Sequence, residues 1–169
     1  MLIFLIGFMG CGKSYVARNL APILETDYID LDKYIEYHEE LTVKEIFEQK
    51  GEDYFRMQEH RFIEQVEPTE NLIISTGGGA PCFFNNMQLM NEKGLTIYLN
   101  RNKEKTIERL LRGQHKRPLI ANLNKDELEK FYDEKLASRK HFYEQAKLHT
   151  GDAEVEEIAA RILKYYSKS

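Results

Sequence analysis

The chain has 169 residues, with 24 Lys and Arg against 28 Asp and Glu, and a formal net charge of −4. That length suits one domain able to bury its own core, and the acidic balance excludes a nucleic-acid binder held by a broad basic surface. Two cysteines, Cys11 and Cys82, are too few for a disulfide framework, so a reducing compartment is expected.

No run approaches the roughly 20 apolar residues of a membrane span. Leu2 to Met9 is apolar and leads into Gly10-Cys11, faintly like a lipoprotein signal. No Lys or Arg precedes it, and it is short for such a segment. The expectation is a cytoplasmic, unprocessed monomer that binds neither nucleic acid nor membrane.

Leu2-Ile3-Phe4-Leu5-Ile6, ended by Gly7, has the continuous apolar pattern of a strand buried on both faces. Val16, Leu20, Ile23 and Leu24 follow at helical spacing, with Pro22 marking a kink or an end near the last turn. Tyr28-Ile29-Asp30 is a short strand. Thr42-Val43-Lys44-Glu45 forms a capping box for a helix stopped by Gly51. Phe55, Phe62, Ile63 and Val66 predict a helix over Glu52 to Val66. Leu72-Ile73-Ile74 is a third strand, ended by Gly77-Gly78-Gly79, and Thr96-Ile97-Tyr98-Leu99 a fourth, after a helix stopped by Gly94.

Ile107, Leu110 and Leu111 mark another helix. Gly113 to Leu123 lacks periodicity and is expected to be a mobile loop. Leu128, Phe131, Tyr132, Leu136 and Phe142 return to helical spacing, a short strand is expected near Ala146 to His149, and Val155, Ile158, Ala159, Ile162 and Leu163 form a closing helix. Strands alternating with helices predict a parallel sheet covered on both faces, with its ligand site at the strands' carboxyl ends. Gly7, Asp30, Asp32 and Gly77 all follow strands and should meet there.

Gly7-Phe8-Met9-Gly10-Cys11-Gly12-Lys13-Ser14 matches G-x-x-x-x-G-K-[ST] between a buried strand and a helix. Backbone N–H groups of such a loop wrap a phosphate chain, Lys13 reaches the β- and γ-phosphates, and Ser14 offers its hydroxyl to Mg²⁺. Asp30 and Asp32 point to one side if the backbone there is extended. One could then hold the metal's water shell while the other accepts a proton from a substrate hydroxyl. Asp32 could instead cap a helix.

Arg56 with Glu59 has a bland reading as a surface i,i+3 ion pair. Three consecutive glycines make sense where backbone must approach a ligand closely. The five histidines have no metal-ligand spacing, and neither cysteine has a partner that would make it catalytic. Asn124-Lys125-Asp126-Glu127 nearly matches a guanine-reading motif but follows no strand, so Asn124 is expected to cap the next helix.

Taken together, the phosphate loop, Asp30-x-Asp32, Phe55-Arg56 with Glu59, the triple glycine, Arg117-Pro118-Leu119 and Arg139 resemble the shikimate kinase family in order and approximate spacing, from Leu2 to about Tyr166. The resemblance implies an α/β three-layer sandwich, a P-loop NTP hydrolase fold whose five-stranded parallel sheet has the order 2-3-1-4-5. It implies one domain over 1–169, with a substrate-binding region at about 32–62 and a lid at about 113–123. It further implies transfer of the γ-phosphoryl of ATP to the 3-hydroxyl of shikimate, with Mg²⁺, in chorismate and aromatic amino-acid biosynthesis. Another small P-loop kinase, such as a gluconate kinase, is the alternative.

By position, the catalytic residues would be Lys13, Asp32 and Arg117. ATP would lie on Gly10, Cys11, Gly12, Lys13, Ser14, Tyr15 and Arg117, with either Arg109 or Arg112 stacked on adenine. Shikimate would meet Asp32, Phe47, Phe55, Gly77, Gly78 and Gly79, with Arg56 and Arg139 on its carboxylate. Ser14 and Asp30 would serve Mg²⁺. The role of Gly151-Asp152 is left open.

Overall fold

The structure, a computed structural model, describes residues 1–114 and 119–167. Five strands, β1 (Leu2–Ile6), β2 (Asp27–Asp30), β3 (Leu72–Ser75), β4 (Leu95–Tyr98) and β5 (Leu148–His149), form one parallel sheet in the order β2-β3-β1-β4-β5. Eight α-helices accompany them among the described residues: α1 (Lys13–Ile23), α2 (Leu31–Glu39), α3 (Val43–Lys50), α4 (Glu52–Gln65), α5 (Asn86–Lys93), α6 (Lys103–Arg112), α7 (Lys125–Tyr143) and α8 (Val155–Tyr166).

The central strand explains the layers. Every residue of β1 is buried, and its side chains alternate between two cores. Ile3 and Leu5 pack with α1 and α8 on one face, while Leu2, Phe4 and Ile6 pack with α2 to α5 on the other. A strand covered on both faces cannot show polar alternation, which is why its sequence is uniformly apolar. A third cluster joins Phe8 to Ile107, Leu110, Ile120, Leu128 and Tyr132. It fixes the phosphate loop against α6 and α7.

The helix punctuation follows its chemistry. Thr42 and Glu45 form the capping box of α3, and Gly51 caps its C-terminus. Asn124 and Glu127 form a second box at the start of α7. Asn124 is therefore spent on a helix end and is not a base-reading residue. Pro22 sits in the last turn of α1, one residue from its end. Among the described residues, no helix is long and apolar enough to cross a membrane.

Two local expectations need correction. The backbone between Asp30 and Asp32 is not extended: Asp30 ends β2 and Asp32 is already in the first turn of α2. The residue that caps α2 is Asp30, whose side chain accepts from Lys33 N–H at 3.2 Å, and not Asp32. The expected loop at 113–123 is described only in part. Ile120 is fully buried, and Gln114 donates to the carbonyls of Ile120 and Leu123. Arg117 and Pro118 lie outside the described residues.

Candidate active site

The phosphate loop joins β1 to α1, so it lies at the carboxyl end of the central strand. Gly12 caps α1 at φ +95°, where a side chain would be strained, and no side chain caps that helix end. The first N–H groups of α1 thus face a ligand position with the positive end of the helix dipole behind them. Lys13 is only 8% exposed and folds over the loop, donating to the carbonyls of Gly7 at 2.9 Å and Phe8 at 3.0 Å. Neighbouring Ser14 donates from Oγ to Asp30 Oδ2 and lies 3.3 Å from Ser75 Oγ. These are hard oxygen donors beside a phosphate cradle. Such a set suits Mg²⁺, which takes one or two protein oxygens and completes its shell with water and phosphate.

Beside the loop, a cavity is lined by Cys11, Gly12 and Tyr15 on one side and by Arg101, Lys105, Arg109 and the turn at Asp152 to Val155 on the other. Arg109 reaches the loop, with Nη1 3.4 Å from the Cys11 carbonyl. Arg112 is not part of this lining; it is exposed and paired with Glu108. The geometry therefore separates two arginines that spacing alone left equivalent. Asp152, whose role was open, accepts from Asn102 N–H at 2.9 Å and lies 3.5 Å from Lys105 Nζ. The Asn102 N–H bond, more than the lysine, holds its carboxyl below the usual range.

On the opposite side of the loop, α4 and α7 meet the triple glycine. Arg56 and Glu59 are not a surface pair: Glu59 is fully buried, and its Oε2 accepts from Arg56 Nη1 at 2.7 Å. Glu52 accepts from Arg56 Nε and Nη2 through one oxygen. Close approach explains the glycines. A Cβ on Gly79 would stand 2.7 Å from Arg56 Nη2, and one on Gly77 would stand 2.8 Å from Asp32 Oδ1 and closer still to Glu59 Oε1. Arg139 arrives from α7, with Nη1 3.6 Å from a Cβ on Gly78. Phe55 is buried, and Phe47 meets it edge to face at 5.3 Å.

Burial sets the charges. It pushes the Asp32 carboxyl up to about 6, helped by Asp30 and opposed by Lys13 and Arg56. It pushes Glu59 up to about 7 in spite of the adjoining guanidinium. Burial also raises the Cys82 thiol to about 11, which keeps it protonated and unreactive at neutral pH.

Other neighbours carried little sequence signal. Tyr143 is fully buried, and its hydroxyl donates to the Gly78 carbonyl at 2.5 Å. Ser75 could have been noticed as a polar residue ending an apolar strand. His60 Nδ1 lies 2.7 Å from Asn86 Oδ1. Phe83 lies over Arg56 and had no periodicity to mark it.

Comparison with known proteins fits this geometry. The family model described as shikimate kinase matches residues 9–167. The shikimate kinase of Parabacteroides distasonis is 43% identical over 90% of this chain and 87% of its own length. A crystal structure of shikimate kinase from Bacteroides thetaiotaomicron superposes with a TM-score of 0.90, at 36% identity, covering 99% of this chain and 98% of that one. Shikimate kinase from Acinetobacter baumannii, in complex with shikimate, gives a TM-score of 0.85 at 29% identity, covering 99% and 93%. With a family match over nearly its whole length and relatives this similar, the chain belongs to the shikimate kinase family.

Proposed function

We propose that the chain transfers the γ-phosphoryl group of ATP to the 3-hydroxyl of shikimate, giving shikimate 3-phosphate and ADP in chorismate and aromatic amino-acid biosynthesis. The observation that carries this reading is the convergence of Arg56 and Arg139, from two distant helices, on the glycine segment beside the phosphate loop. A pair of guanidinium groups suits a compact carboxylate. Asp32 beside them suits a ring bearing hydroxyls. A gluconate kinase or other P-loop kinase is not favoured, given the identity to shikimate kinases over most of the chain.

In this reading the residues divide the work of an in-line displacement. The loop from Gly10 to Tyr15 holds the phosphate chain, and Lys13 leaves its carbonyl partners for the β- and γ-phosphates. Mg²⁺, held through Ser14 and Asp30, would neutralise charge on the phosphates. Asp32 orients the 3-hydroxyl and takes its proton as the bond from oxygen to phosphorus forms and the bond to ADP breaks. An Asp titrating near 6 is mostly ionised at pH 7 yet basic enough to accept that proton. Phe47 and Phe55 wall the ring, and Gly77, Gly78 and Gly79 let it approach the backbone. Arg117 brings a further positive charge to the transferring group, and Arg109 stacks on adenine.

The region at about 32–62 is the substrate-binding part of a single domain, and 113–123 its lid. The reading takes a cytoplasmic monomer. ATP supply and two unpaired thiols suit that compartment. A coupled assay of ADP release with shikimate, gluconate and nucleoside monophosphates as separate acceptors tests the reading. Turnover with shikimate is expected; turnover only with gluconate or a nucleotide overturns it.

A further inference from the structure

Arg56 has five N–H donors, and the described residues take three of them. Nε and Nη2 donate to Glu52, and Nη1 donates to Glu59. One N–H on each terminal nitrogen is left, the pair a carboxylate would take in a bidentate contact. These three bonds run to only two acceptor oxygens, so they resist rocking of the guanidinium about the line between Glu52 and Glu59 weakly, and what rests against its face opposes that motion directly.

Three aromatic rings surround that group. Phe47 is 6.0 Å from Arg56 Cζ, Phe55 is 5.4 Å away, and Phe83 is nearest at 4.6 Å. Phe83 comes from the short turn after the triple glycine, and that turn is held unusually firmly. Asn86 is fully buried, donates to the Ala80 carbonyl at 2.8 Å and meets His60 Nδ1 at 2.7 Å. Its neighbour Phe84 sits at φ +52°, a costly conformation for a bulky residue, and stacks on the His60 ring at 4.7 Å. Phe83 therefore reaches Arg56 from a braced turn, while Phe84 is turned out onto α4.

We propose that Phe83 is a positioning residue for shikimate recognition, its ring holding the Arg56 guanidinium in the plane that receives the substrate carboxylate. The inference rests on the reading of Arg56 as a carboxylate clamp. Phe83 acts through the cation–π attraction between ring face and guanidinium, and it screens that side of the charge from water.

The test is steady-state kinetics of the full chain on shikimate and on its methyl ester, for wild type, Phe83→Leu, Phe83→Tyr and Arg56→Ala. Phe83→Leu should raise KM for shikimate about five- to tenfold, the size of a partly desolvated cation–π contact, leave KM for ATP unchanged, and reduce the preference for acid over ester. Phe83→Tyr, which keeps the aromatic face, should behave as wild type. Trifluorinated phenylalanine at position 83 keeps the shape but weakens the ring's negative face, and should raise KM in the same direction. A fluorinated residue without effect, or equal losses in Phe83→Leu and Phe83→Tyr, overturns the proposal in favour of simple packing. If Arg56→Ala loses the acid preference while Phe83→Leu keeps it, the clamp stands and the role of Phe83 falls. A wild type that shows no preference for the acid overturns the clamp itself.

Discussion

Asp32 Oδ1 and Glu59 Oε1 are both buried without a protein hydrogen-bond partner among the described residues, and both lie against Gly77. An unpartnered buried oxygen is costly. Two of them at one glycine mark a place where the fold gives up stability for a site. Glu59 also holds Arg56 and feels the charge of Asp32, so the two residues proposed to read the substrate's carboxylate and hydroxyl both adjoin a single buried side chain.

Gly77→Ala tests that junction. The added methyl strikes Glu59, which cannot move without moving Arg56. The variant should lose about 1–3 kcal/mol of stability, as overpacked sites do, and its KM for shikimate should rise while KM for ATP holds. Thermal unfolding with steady-state kinetics checks both. Unchanged shikimate affinity would contradict the coupling.

The raised Glu59 carboxyl carries a pH signature. A carboxyl that titrates near 7 in the folded chain and near 4.5 unfolded keeps its proton longer when folded. Its contribution to stability is therefore complete below about pH 4.5 and is lost as the pH rises through about 7. Glu59→Gln removes this titration. The ligand-free variant should show a shallower fall in Tm between pH 5 and 8, roughly the window set by those values, than wild type. Parallel curves for the two proteins would contradict the assignment.

Much of this arrangement was legible in the sequence. The strand order was implied by the family resemblance, and the parallel sheet by the alternation of apolar runs and helical spacing. Lys13 and Ser14 were placed by a motif whose geometry is local. Asp30 was harder, because its capping role depends on the chain turning into α2 two residues earlier than a cap at Asp32 implies. The Arg56–Glu59 pair was legible as a contact but not as a buried one, since an i,i+3 spacing says nothing about what covers the helix face. Phe83, Tyr143 and Asn86 were beyond reach: their roles come from tertiary contacts across the triple glycine, and no period or motif marks them. The cavity separated Arg109 from Arg112 for the same reason.

That separation gives a prediction of its own. Arg109→Ala should raise KM for ATP several-fold, about what loss of a stacked guanidinium costs, with little change in KM for shikimate. Arg112→Ala, already exposed and paired with Glu108, should behave as wild type. Equal effects from the two would contradict the cavity as the adenine site.

Lys13 and Asp32 should fail differently. Lys13→Ala removes a cation from the phosphates and should weaken both nucleotide binding and turnover. Asp32→Asn keeps the shape but removes the proton acceptor, so turnover should fall roughly 10²-fold or more with MgATP binding nearly intact. Calorimetry with a non-hydrolysable ATP analogue separates the two. Equal loss of nucleotide affinity would contradict their roles.

The most direct test of the central claim is the product itself. Purified protein is incubated with MgATP and shikimate, and the product is read by phosphorus–proton correlation NMR. The account predicts a new phosphate monoester coupled to the ring proton at carbon 3, formed in step with ADP. Absence of phosphorylated shikimate from a sample that phosphorylates gluconate or a nucleotide, or a phosphate on another ring hydroxyl, would contradict it.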